Sequence, residues 1–291
     1  MGIVETVKKG FSVASKCKLL MALVAGIFVL FNIATSPINS KLKSMTGELQ
    51  NTKTPDLKLL LPVIPMVILV FALNILVSSF INAGFWSYLR DKIKIGSVGL
   101  GSFFSSSVKY FGKILLLNLI LIAFMIVVGA AMVLVAVVGS LIAAALKGVP
   151  ALSTILLVVT GLGSLTVVAF GIYYGLLMFS FAPMAAIADE AKVFDSLKKS
   201  GAFFRKNLKS LIGVGLIYLG INLLTAGAFL LVIFLESLVT GGRQLNPALS
   251  LALFAPVLLM MLVFLYMAIA ASGSFMSLYL NSSSSDNTTG A

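Results

Sequence analysis

Apolar residues in this chain gather into six stretches of membrane length, at residues 19 to 35, 59 to 89, 114 to 146, 153 to 187, 211 to 239 and 248 to 280. A helix that crosses the hydrocarbon core needs about 20 predominantly apolar residues, so each stretch predicts a transmembrane helix. None carries an acid or a base at its centre. The third and fourth are longer than the core requires and are joined only by residues 147 to 152. They are expected to tilt, to kink near Gly129, Gly139 or Gly161, or to project outward.

Ahead of the odd-numbered stretches, apolar residues recur at helical spacing: Ile3, Val7, Phe11 and Ala14; Leu100, Phe104, Val108 and Phe111; Val193, Leu197, Phe204 and Leu208. Lys and Ser occupy the opposite faces. Each segment predicts a helix lying in the membrane interface, its apolar stripe turned to the acyl boundary or, as the favoured alternative, to the protein's own bundle. In each, a Ser is followed six residues later by a Lys, as Ser12 to Lys18, Ser107 to Lys113 and Ser200 to Lys206. The intervals of roughly 94 residues point to one unit used three times, and the signature is expected to mark where each interfacial helix turns into the membrane.

The even-numbered stretches rhyme as well, with Gly84-Phe-Trp-Ser87, Gly175-Leu-Leu-Met-Phe179 and Gly273-Ser-Phe-Met-Ser277 near their ends. Glycine there permits close helix approach. Together these patterns predict an all-α polytopic membrane protein with a single domain over residues 1 to 280. Its six transmembrane helices form three parallel pseudo-repeats, at about 3–89, 98–187 and 193–280, each a cytoplasmic interfacial amphipathic helix plus a helical hairpin. The polar tail at 281–291 is expected to be disordered.

Composition strengthens the membrane reading. The chain is 60% hydrophobic and only 10% charged, against about 25% charged in soluble domains, with a mean hydropathy of +1.13. Of the 21 Lys and Arg residues, fifteen fall on one set of alternate loops and six on the other. The positive-inside rule therefore predicts a multi-pass protein of the cell membrane with both termini cytoplasmic. Trp86 and Tyr88 beside Arg90, and Tyr279, stand where interfacial aromatics are expected. Ala34-Thr35-Ser36 has the look of a signal-peptide cleavage site, but the repeat needs the first span as a partner, so it is expected to be retained. Because the basic residues behind the net charge of +12 flank apolar segments, the expected partners are membrane lipids with anionic headgroups on the cytoplasmic face, not nucleic acid.

The chemical inventory is narrow. There is no His, and the single cysteine, Cys17, supplies neither a disulfide framework nor a metal-ligand cluster. No cofactor or metal is expected, and the chain is read as non-enzymatic. Lys18, Lys113, Arg205 and Lys206 are the candidate anionic-lipid contacts. Asn32, Asn74, Asn118 and Asn222 are the candidate intramembrane polar contacts, bonding across helices or lining a groove. Pro62, Pro65, Pro256 and Pro183 are expected to free backbone carbonyls or to shape the bundle by kinks. Glu236 with Arg243 reads as an interfacial ion pair, and Asp189, Glu190 and Asp195 as a structured linker neutralised by the surrounding basic residues. The expected function is that of a membrane scaffold or accessory subunit, with a protein partner or as a homo-oligomer. The alternative is a carrier of lipid or small solute through a polar groove between pseudo-repeats.

The stretch Phe181-Ala-Pro183-Met-Ala-Ala-Ile-Ala-Asp-Glu190, followed by Phe194-Asp-Ser-Leu-Lys-Lys-Ser200, resembles the six-span membrane domain of glycerophosphoryl diester phosphodiesterases and related uncharacterised prokaryotic integral membrane protein families. The region from Gly84 to Lys113 is similar to the earlier linker of those families. The resemblance implies a bundle of helical hairpins with interfacial helices. It implies no catalysis, because the phosphodiesterase activity there belongs to a separate soluble barrel domain.

Overall fold

Backbone N–H and C=O groups find no water in a bilayer core, so a long apolar chain must satisfy them within its own helices. In a computed structural model, which describes the backbone of residues 2–51, 57–146, 148–240 and 247–288 and the side chains of 2–45, 47, 61–146, 148–227 and 262–283, this is what the chain does. The elements are α1 (Ile3–Ser15), α2 (Lys18–Asn51), α3 (Leu57–Ile95), α4 (Leu100–Ala145), α5 (Pro150–Phe179), α6 (Ala182–Ala188), α7 (Val193–Thr240) and α8 (Pro247–Thr288). Six of these helices contain a stretch long and apolar enough to cross a membrane, and the chain is an all-α, multi-pass membrane protein. Their outward faces carry exposed Leu134, Leu141, Leu165, Phe170 and Leu224, side chains suited to a lipid solvent. The side chains of Glu236, Pro256 and Lys58, and all of Arg243, Lys53 and Lys147, lie outside the described residues, and with them the expected Glu236–Arg243 pair.

Several boundaries differ from expectation. The helix breaks at Lys16 and Cys17, separating α1 from the first span. Yet α4 is one helix of 46 residues, about 69 Å long at 1.5 Å per residue, running from the expected interfacial segment through Gly129 and Gly139. In α7 the corresponding point is a local departure from helical geometry at Asn207, directly after Lys206. The Ser-to-Lys signature thus precedes a break, an unbroken helix and a kink in turn, so it is no uniform turning point. The fourth stretch stops at Phe179, and Pro183 stands in the first turn of the separate α6, where a missing N–H costs no helical bond. Polar residues 281–288, expected to be disordered, prolong α8. There the Ser282 and Ser283 hydroxyls donate to the carbonyls of Tyr279 and Leu280 at 2.9 and 3.0 Å, helped by the helix already formed before them.

The chain divides into two compact units, residues 1–107 with 207–291 and residues 108–206. In the first, Ala14, Cys17, Leu20, Leu89, Phe103, Val214 and Ile269 form a continuous core. Helix α1 reaches that core because Gly10 has no side chain: a methyl group there would overlap the Ser274 hydroxyl and the Ala270 carbonyl of α8. Its Val7, Val13 and Ala14 are buried, so its stripe turns to the bundle and not to the acyl boundary. A second close approach joins Gly84 of α3 to Ser107 and Phe103 at the start of α4. Here the buried face is rotated from the expected one. Phe103 and Ser107 are fully buried while Phe104 and Val108 are 46% and 71% exposed, so Ser lies on the inside and the apolar stripe on the outside.

Tyr88 and Tyr279 are also buried, which corrects their reading as interfacial anchors. The Tyr88 hydroxyl donates to the Val98 carbonyl at 3.2 Å and braces the turn between α3 and α4. Gly96 closes α3 in that turn with a φ of 84°, a left-handed conformation that glycine adopts without steric cost. In the second unit, α4 and α5 approach closely where Gly139 meets Thr160 and where Gly171 meets Val128.

The contact at Gly10 yields a signed prediction. Gly10→Ala should destabilise the protein by about 1–3 kcal/mol through overpacking. Gly26→Ala, at a site with nothing within 4 Å of the added methyl, should be neutral or stabilising by up to about 1 kcal/mol, since Ala favours helix over Gly. Thermal unfolding in detergent, followed by Trp86 fluorescence, separates the two; equal shifts for both variants would refute the close-approach account.

Candidate functional site

In the first unit, three helices meet at hydroxyl groups. The Tyr218 hydroxyl of α7 lies 3.0 Å from Ser274 Oγ of α8. Ser274 donates its own proton to the Thr6 carbonyl of α1 at 3.1 Å, so Tyr218 is the donor to Ser274. Phe11 stacks on the Tyr218 ring with centroids 5.7 Å apart, and Tyr266 reaches the Phe11 carbonyl at 3.5 Å. A serine whose proton is committed to a carbonyl, and which accepts from a phenol, is arranged as a joint between helices and not as an activated nucleophile.

The second unit has its own joint in the linker from α6 to α7. Glu190 stands at φ 51°, the one non-glycine residue with positive φ among those described. That backbone is unfavourable for an L-residue and requires support from its surroundings. Support comes from α4: Lys109 Nζ and the Tyr110 hydroxyl donate to Glu190 Oε1 at 2.7 and 2.9 Å, and Lys113 Nζ donates to the Glu190 and Ala191 carbonyls at 3.0 and 3.2 Å. Asp189 pairs with Lys199 at 2.6 Å. Behind the linker, the fully buried Ser200 Oγ accepts the Phe181 N–H and donates to the Leu177 carbonyl, both at 3.2 Å, tying α7 to the end of α5. The acidic cluster is therefore a structured linker, held mainly by cations of α4.

The other predicted residues are dispersed. Lys18 is exposed at the start of α2. Lys113 is a clamp on the linker, which changes its reading as a lipid contact. Arg205 and Lys206 are exposed on α7, and Lys206 is engaged with a neighbour. Asn32 and Asn74 lie on exposed helix faces and donate to the carbonyls of Phe28 and Val70, each at 2.8 Å on its own helix. Among the described residues neither is seen to bond across helices, and neither lines the grooves of the second unit. Asn118 is half-buried and engaged, and the half-buried Asn222 has its Oδ1 enclosed without a hydrogen bond. Pattern reading missed Tyr218 and Ser274. Their signal was a hydroxyl residue beside one of the rhyming glycines, Gly273.

Two open grooves, each of about 370 Å³, mark the second unit. One runs between α4 and α5 and is lined by Phe124, Val127, Ala131, Val167 and Phe170 among others; the other lies between the end of α5 and the start of α7, with Lys198 and Arg205 on its rim. Among the described residues no group of three His, Cys, Asp or Glu could hold a metal ion. No family model, curated protein or solved structure matches the chain.

Two outcomes test this description. Lys109→Met with Lys113→Met should free the Glu190 linker, and tryptic cleavage at exposed Lys192, timed by mass spectrometry, should accelerate about tenfold. Unchanged cleavage would deny the clamp. Burial at the junction of α1 and α2 pushes the Cys17 thiol up to about 11, partly opposed by nearby Lys92. At pH 8 only about 0.1% is then thiolate, so alkylation of the folded protein should be very slow, rise with pH towards that value, and become complete on denaturation.

Proposed function

We propose that the chain is a non-catalytic scaffold or accessory subunit of a cell membrane, with its basic end and both termini in the cytoplasm. The observation that carries this reading is where the interhelical polar groups of each unit are directed. Tyr218, Ser274 and Thr6 bond to one another, as do Lys109, Tyr110, Lys113 and Glu190, so the strongest donors and acceptors serve the protein's own architecture. Polar groups committed within each unit, together with extensive apolar flanks, suit a protein that presents surfaces to other membrane components.

The three-repeat reading belongs to the same proposal. It is supported by a joint that recurs where each amphipathic segment meets an even-numbered span: Gly10 with Ser274, Ser107 with Gly84, and Ser200 with Leu177. The resemblance drawn from residues 181–200 would suit such a bundle. One observation favours the carrier alternative, namely the enclosed, unbonded Oδ1 of Asn222 within a membrane helix.

Native mass spectrometry of the gently extracted protein tests the proposal, paired with solute-flux assays in proteoliposomes. A scaffold should appear as a stoichiometric complex or homo-oligomer and give no flux above empty vesicles. A monomer that supports saturable flux, abolished by Asn222→Leu, would replace this reading with the carrier.

A further inference from the structure

The two grooves of the second unit share one residue, Tyr174 of α5. On one side of it, towards the middle of the α4–α5 pair, the walls are Phe124, Val127, Ala131, Val167 and Phe170. The one hydroxyl of that stretch besides Tyr174, Thr166, donates to its own helix at the Leu162 carbonyl, 2.8 Å away. This trough follows α5 from Thr166 to Tyr174, about 12 Å at the helical rise. On the other side the walls are Leu177, Met178 and Leu197, the floor is the small pair Gly201 and Ala202, and the rim carries Lys198 and Arg205. Apolar trough and cationic cup thus adjoin at Tyr174, which lines both.

The two cations are placed for a shared anion. They stand seven residues apart, two turns of α7 and about 10 Å along its axis, so flexible side chains can converge from both ends of the cup. Both are exposed, and neither makes an ion pair among the described residues. The nearest acids on the linker are committed elsewhere, Asp189 to Lys199 and Glu190 to Lys109. Asp195, one turn before Lys198, is exposed and paired with neither cation. Between the cations, buried Gly201 packs against Leu177 while the small Ala202 is exposed, so no bulky side chain at position 202 stands between Lys198 and Arg205.

We propose that this composite groove binds one anionic glycerophospholipid, its phosphate held between Lys198 and Arg205 and one acyl chain lying in the α4–α5 trough past Tyr174. The site assigns a role to Lys198, moves lipid recognition away from Lys113, and is independent of whether the chain acts as scaffold or carrier. Charge complementarity selects an anionic headgroup, and the trough selects a lipid over a free phosphate ion.

The test is native mass spectrometry of the full chain in detergent, titrated with phosphatidylglycerol and, separately, with phosphatidylcholine of the same acyl chains. One phosphatidylglycerol should stay bound under activation that strips phosphatidylcholine. Lys198→Gln with Arg205→Gln should weaken that binding about tenfold or more, whereas Lys8→Gln with Lys16→Gln, an equal charge change on α1 and the residue that caps it, should not. Ala131→Phe, which fills the trough without touching a charge, should weaken it as well. Inorganic phosphate at millimolar excess should not compete. The proposal is overturned if the Lys198/Arg205 variant binds as the unmodified chain does, if the α1 variant loses as much, if Ala131→Phe has no effect while its thermal unfolding is unchanged, or if phosphate displaces the lipid.

Discussion

In hydrocarbon, apolar side chains gain little by turning from lipid towards one another, so helices must be held by close packing and by hydrogen bonds between them. Every well-defined junction in this protein follows from that constraint. Gly10 lets α1 sit on α8, Gly84 lets α3 receive Ser107, and Gly171 lets α5 lie against Val128. Where helices touch, hydroxyl groups bridge them: Tyr218 to Ser274 to Thr6 in one unit, Ser200 to both Phe181 and Leu177 in the other. Dispersion forces across such short distances, and polar bonds shielded from water, do the work that hydrophobic burial does in a soluble core.

The linker between α6 and α7 applies the same logic to charge. Lys109 and Lys113 stand one turn apart on α4 and meet an acid and two carbonyls at a residue whose backbone needs restraint. The exposed Lys109–Glu190 pair would contribute little by itself, since solvent screens it. Its value is geometric, because together with Tyr110 and Lys113 it selects one path for the chain into α7. That path sets the first turns of α7, and therefore where Lys198 and Arg205 face.

Much of this architecture was legible in the amino-acid sequence, because a bilayer imposes a length and a polarity that leave few alternatives. Six stretches of about 20 or more apolar residues became six helices for that reason. What could not be read was which face of a helix points inward. For a soluble helix the apolar stripe marks the core, but in lipid Phe104 and Val108 are as well placed outside as within. The buried positions went instead to Phe103 and Ser107. The clamp made by Lys113 could not be read because its partner stands 77 residues away and depends on the left-handed turn at Glu190, which has no local signature without glycine. The Asn residues were a weak guide because an amide can bond its own preceding turn, as Asn32 and Asn74 do.

The seating of α1 against α8 has a consequence for how the protein is made. Thr6 and Ser274 are 268 residues apart, so the surface that receives α1 does not exist until the last described helix has emerged from synthesis. Until then α1, with its buried Val7, Val13 and Ala14, must wait at the membrane surface, where lipid rather than protein covers it. Assembly of the first unit is therefore closed by a contact of high sequence separation, between α1 and α8. A chain interrupted before α8 would leave α1 without the surface that receives Gly10 and Thr6.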